Sequence, residues 1–138
     1  MTDTLHPALR HLLFDVTLGS AVARDLGITL VSASPDVTVL AMPFRPRMLT
    51  FGDVIHGGVI ATRIDIAGAA AFVAGADPSL KGGATSGMTI SYLAPARSVD
   101  LVATARVLRR GRSQTVSEIE VTGADRLVAK AICTNSGF

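Results

Sequence analysis

Apolar residues recur along this chain at two periods, and the switch between them divides it into parts. Near the start, Leu5, Leu9, Leu12 and Leu13 fall at helical spacing, and a second short helix is expected over 21–26, stopped by Gly27. Residues 1–27 therefore read as a helical flank or lid. From 28 to 44 the β-branched content rises and Pro35-Asp36 marks a turn, predicting a hairpin or long strand that Pro43 and Pro46 end. After a loop over 45–55, His56-Gly57-Gly58 opens an alanine-rich segment without proline until Pro78. It predicts one long helix of about five turns at ~3.6 residues each. Its apolar residues occupy every face, and a helix of that kind must be buried because a surface helix needs a polar side.

The second half alternates instead. Leu101, Ala103, Ala105 and Val107 fall on one face of a strand, with Thr104 and Arg106 on the other. Ser117, Ile119 and Val121 alternate with Glu118 and Glu120, and Leu127, Ala129, Ala131 and Cys133 with Lys130 and Thr134. Met88, Ile90 and Tyr92 form a further alternating run before Pro95, and the connections at 110–112 and 123–125 are short enough for antiparallel hairpins. A strand, a buried helix and then four strands with tight turns give an α+β domain, an antiparallel sheet of five to six strands curled round one helix. Such a sheet keeps free edges, which pairing with a second copy of the chain would cover.

Composition narrows this picture. A chain of 138 residues is sized for a single domain, 1–138. Its 49% hydrophobic and 17% charged content sets it among ordered proteins. Aromatics are only 4%, so the interior must be built from Ala, Val and Gly at close backbone approach. A net charge of +2 gives no ground for a nucleic-acid partner. The local cluster Arg106, Arg109, Arg110 and Arg112 reads equally as a phosphate site or a solvated strand end. Cys133 stands alone, so no intrachain disulfide forms; it reads as a core residue, and a cytoplasmic location is expected. Asp3 and Asp15 bracket an N-terminus unlike a signal peptide, and Arg63 and Asp65 interrupt the apolar run 59–76, arguing against a membrane span. No cluster at metal-ligand spacing occurs, and neither metal nor cofactor is expected.

Asp65 carries the most information, as a carboxylate in the middle of the helix inferred to be buried. Without a partner its burial costs several kcal/mol. Its neighbours at three and four residues, Ala61, Thr62, Gly68 and Ala69, include no cation. An arginine from another element is one explanation; a carboxylate facing a polar cavity, with small residues leaving room for a ligand, is the preferred one. At the helix start, His56-Gly57-Gly58 offers free N–H groups and the positive end of the helix dipole, suited to a developing negative charge. His56 reads either as a reactive contact or as a structural histidine bonded to backbone.

The segments HGGVIATRIDIAGAAA (56–71), TSGMTISYLAPAR (85–97) and RRGRS (109–113) together resemble the PaaI-type, phenylacetate-pathway branch of the hot-dog acyl-CoA thioesterases. The likeness runs from about Phe44 to Thr134. It implies a hot-dog fold, hydrolysis of acyl-CoA to a free acid and CoA, and a homodimer or dimer-of-dimers tetramer with sites built from two chains. By this resemblance the Gly57 N–H polarises the thioester carbonyl, and Asp65 of the opposite subunit is general base or nucleophile. Thr85 bonds the attacking water or the carboxylate, and Gly58, Arg110 and Arg112 meet CoA. Thr50 stands where many relatives carry Asn, Arg63 where they carry Leu, and Gly87 where they carry Asp or Asn. Met88 and Tyr92 read as acyl-pocket residues or, preferably, as packing. The alternatives are an enoyl-thioester dehydratase or hydratase using His56, and a non-catalytic acyl-CoA-binding protein.

Overall fold

The computed structural model describes residues 4–138, so Asp3 lies outside the described residues. Two short helices, α1 (Pro7–Arg10) and α2 (Ala21–Asp25), precede a hairpin of β1 (Thr29–Ala33) and β2 (Val37–Met42). The long helix α3 (Gly57–Ala74) follows, then β3 (Gly83–Tyr92), β4 (Leu101–Arg110), β5 (Gln114–Gly123) and β6 (Arg126–Gly137). The six strands form one antiparallel sheet in the order β1-β2-β4-β5-β6-β3. It wraps α3, which packs against β2 to β6. This is the hot-dog arrangement, with the helix as filling.

Small residues permit it. Ile60, Ile64, Ala67 and Ala71 of α3 are buried, as are Ala103 and Ala105 of β4 and Ala129 and Ala131 of β6. The sheet can therefore close on the helix without aromatic spacers. By length and composition α3 could cross a membrane, yet more than half of it is buried within the domain, as a core helix should be. The only cysteine, Cys133, is fully buried.

Four features depart from the sequence reading. The N-terminal leucines do not continue one α-helix: after α1 the backbone widens into a π-helical stretch, His11–Thr17. Met88 and Tyr92 are not packed in the core, being 38% and 53% exposed, because β3 is an edge strand with almost every side chain open. A cation on a buried helix must reach an interface, a phosphate or a carboxylate, and Arg63 meets no carboxylate among the described residues. It is 1% exposed, none of its three guanidinium nitrogens has a partner among the described residues, and burial pushes it down to about 9. Finally, bulges reset the alternation at Ser86 between Thr85 and Gly87 of β3, at Leu108 between Val107 and Arg109 of β4, and at Val128 of β6, which turns Val128 inward in place of Leu127. A one-residue insertion turns every side chain beyond it to the other face.

Candidate active site

The β3 bulge determines what faces the helix. By simple alternation with Met88, Ile90 and Tyr92, Ser86 would point inward. The bulge instead brings Thr85 to that face, directly opposite Asn135 of β6. Gly68 completes the approach: a Cβ there would lie 2.6 Å from Cys133 Sγ, so only glycine allows α3 this close to β6. Asp65, one turn earlier, is thereby brought to β3. Thr85 Oγ1 donates to Asp65 Oδ1 at 2.5 Å, and Asn135 Nδ2 donates to Thr85 Oγ1 at 3.1 Å. Asp65 is half-buried, and no cation pairs with it among the described residues. It opens on a cleft of about 270 Å³ with apolar walls from α3 (Ile66, Ala69) and from the N-terminal flank (Leu12, Val16). Among the described residues no arginine pairs with Asp65, and the carboxylate lines a cavity.

His56 caps α3. Its Nδ1 accepts from the Gly58 N–H at 2.8 Å, which requires the neutral tautomer with the proton on Nε2. Its own N–H is fixed on the Met48 carbonyl at 2.8 Å. Gly58 is therefore engaged, while the Gly57 N–H, first in the helix, faces no acceptor among the described residues. Tyr92 holds this turn by donating its hydroxyl to the Gly57 carbonyl at 2.8 Å. Gly57, Tyr92 and Thr50 line a second cleft of about 360 Å³. Gly57 and Asp65 are eight residues apart on one helix, about 12 Å along its axis at about 1.5 Å per residue.

The β4 bulge acts on the arginine turn in the same way. It brings Arg110 inward opposite Thr115, where its guanidinium donates to the carbonyls of Ala71 (3.1 Å), Phe72 (2.8 Å) and Pro35 (3.0 Å). Ala71 and Phe72 belong to the last turn of α3, whose carbonyls lack intrahelical donors and carry the negative end of the dipole. Partial burial lowers the Arg110 guanidinium below its ordinary range. Arg110 is thus committed to the helix end, whereas Arg112 is exposed beside a cleft of about 590 Å³. Arg110→Ala is expected to cost about 2–4 kcal/mol, from losing several charge-assisted bonds at once. A lowered urea midpoint measures it.

Residues 52–130, more than half of the chain, match the pattern of the thioesterase superfamily. The chain belongs to that superfamily. Human acyl-coenzyme A thioesterase 13 is 31% identical over 120 residues, covering 83% of this chain and 82% of the relative. The Escherichia coli PaaI protein of the phenylacetic acid degradation operon superposes with a TM-score of 0.82 at 25% identity, covering 98% of this chain and 96% of that one. A thioesterase family protein of Silicibacter pomeroyi shares the fold, with a TM-score of 0.86 at 20% identity and coverage of 94% and 98%. In this thioesterase chain the structure gathers Asp65 and Thr85 in one cleft, and Thr50, Gly57 and Tyr92 in another. His56 and Gly58 cap the helix, and Met88 stands on the exposed edge strand. Asn135, and the place of Leu12 and Val16 as cleft walls, escaped the sequence reading, because only strand register and the path of the N-terminal flank bring them to Asp65.

Proposed function

We propose that this thioesterase hydrolyses acyl-CoA esters to the free acid and CoA at sites shared between two copies of the chain. The carrying observation is a half-buried carboxylate, Asp65, held by a hydroxyl donor, paired with no cation among the described residues, and opening on an apolar-walled cleft. Such a group activates water: Asp65 takes a proton as the water oxygen attacks the thioester carbonyl carbon, the C–S bond breaks, and CoA leaves as the thiol. Direct attack by the carboxylate, followed by hydrolysis of the anhydride, uses the same placement. The developing oxyanion needs donors about 3 Å away, and the free Gly57 N–H at the positive end of α3 suits it.

Within one chain those two groups lie too far apart to act on a single carbonyl. A second copy docked along the free edge of β3 would supply the missing half, covering Tyr92 and its neighbours. A homodimer, alone or paired into a tetramer, is therefore part of the proposal, as is a cytoplasmic location suited to a CoA substrate and a lone thiol. The dehydratase reading is less favoured, because the His56 Nδ1 is held by the cap.

Thiol release from a panel of aromatic, short and long acyl-CoA esters tests the function, and no release from any member overturns it. Arg112, rather than Arg110, is the free cation for the CoA phosphates. Arg112→Ala should raise KM for CoA esters roughly tenfold while leaving short thioesters without the nucleotide unchanged. Equal loss on both substrates would remove Arg112 from the CoA site.

A further inference from the structure

We infer that Asn135 is a positioning residue for the thioester chemistry, acting on Asp65 solely through the hydroxyl of Thr85; the assignment rests on the function proposed above. The side chain is 2% exposed and bonded at both ends. Its Nδ2 donates to Thr85 Oγ1 at 3.1 Å, and its Oδ1 lies 3.5 Å from Cys133 Sγ. The chemistry of the ends decides which way the amide faces. A thiol is a donor and a poor acceptor, so the amide oxygen belongs on Cys133 and the amide nitrogen on Thr85. Burial, reinforced by the nearby Asp65 carboxylate, pushes the Cys133 thiol up to about 11, so it keeps its proton at neutral pH.

Every proton in the chain then points one way: thiol to Asn135 oxygen, Asn135 nitrogen to Thr85 oxygen, Thr85 hydroxyl to Asp65. A threonine hydroxyl has one proton and free rotation about its C–O bond. Left alone, it could turn that proton toward water or the backbone. Asn135 fills the acceptor side of Thr85 Oγ1 with a donor, so the lone proton is best directed to Asp65 Oδ1. This fixes one carboxylate oxygen and leaves the other, Oδ2, for the attacking water. The strand register supplies the geometry, since Thr85 and Asn135 are direct partners across β3 and β6. Gly68 keeps the helix close enough for the chain to end on Asp65.

Asn135→Leu removes the donor while keeping the branched shape of the side chain. It should lower kcat about tenfold to a hundredfold with KM within about twofold, the scale of a small misplacement of a reacting group. Thr85→Val should do the same, and the double variant should be no slower than Thr85→Val alone, because the two act in series. Multiplying losses would show Asn135 acting by another route and overturn the inference. A second readout does not depend on turnover: in protein labelled with 13C at aspartate carboxyls, the Asp65 signal, identified by its absence in Asp65→Asn, should move in Asn135→Leu. It should stay still when Asn135→Leu is added to Thr85→Val. If the wild type hydrolyses no acyl-CoA, the proposed function falls while this signal still decides the coupling. Asn135→Ala, which deletes the same donor without adding bulk, carries both measurements should Asn135→Leu fail to fold.

Discussion

Asp65→Asn is expected to leave the protein folded, able to bind CoA esters, and at least a hundredfold slower in releasing the thiol. The substitution is isosteric, and the amide oxygen still accepts the Thr85 hydroxyl in the position of Oδ1. The cleft, the helix cap and the 18-residue helix α3 are untouched. What disappears is the ability to take a proton or attack a carbonyl, a contribution on the order of a hundredfold to ten-thousandfold. The loss should fall on kcat and kcat/KM together, with little change in KM, because the group matters chiefly in the transition state. Asp65→Ala should lose as much turnover and also leave the Thr85 hydroxyl without its acceptor. The difference in stability between the two variants, roughly 1 kcal/mol, reads that bond separately from the chemistry. Wild-type rates in Asp65→Asn would move the chemistry away from this carboxylate altogether.

The sequence makes Asp65 conspicuous for a definite reason. Alanines and glycines mark a helix that must be enclosed, and the helical neighbours of Asp65 contain no cation, so the cost of burying a carboxylate had to be met elsewhere. The same composition makes the central helix and most strands legible. What stays hidden depends on register. Alternation counted outward from Met88 and Ile90 puts Ser86 beside the helix, and counted along β4 it puts Arg109 there. One inserted residue in each strand reverses both, bringing in Thr85 and Arg110. Asn135 is 50 residues from Thr85 and reaches it only through the pairing of β3 with β6. The second cleft, around Gly57, and the eight-residue separation from Asp65 on a straight helix are the geometric support for the proposed two-chain site, which the resemblance alone implied without a distance.

Arg63→Met should stabilise the protein, and by a large amount. A guanidinium that is 1% exposed and has no partner on Nε, Nη1 or Nη2 among the described residues has lost its hydration with nothing in the single chain to replace it. Burial alone accounts for its lowered value of about 9, with no carboxylate near enough to oppose it. At neutral pH the group is still charged. With the unfolded chain titrating in the ordinary arginine range, well above about 9, the penalty is on the order of 5 kcal/mol. Methionine has similar volume and no charge, so roughly 2–4 kcal/mol should be regained, in line with exchanges of buried charges for apolar groups. The pH dependence follows from the sign of the shift. A folded value below the unfolded one gives stability that is complete only above the ordinary arginine range and is lost as pH falls through about 9. The advantage of Arg63→Met over wild type should therefore be full at about pH 8 and shrink by about 2 kcal/mol at about pH 10.5. Cys133, raised to about 11, moves the opposite way: its contribution fades as pH climbs from 9.0 through that value. That loss is common to both proteins and cancels in the difference. Urea unfolding at the two pH values measures the effect. A destabilised Arg63→Met, with no narrowing at alkaline pH, would mean that the guanidinium gains an acceptor in the assembled protein. Arg63 would then be part of the assembly rather than a burden on the single chain.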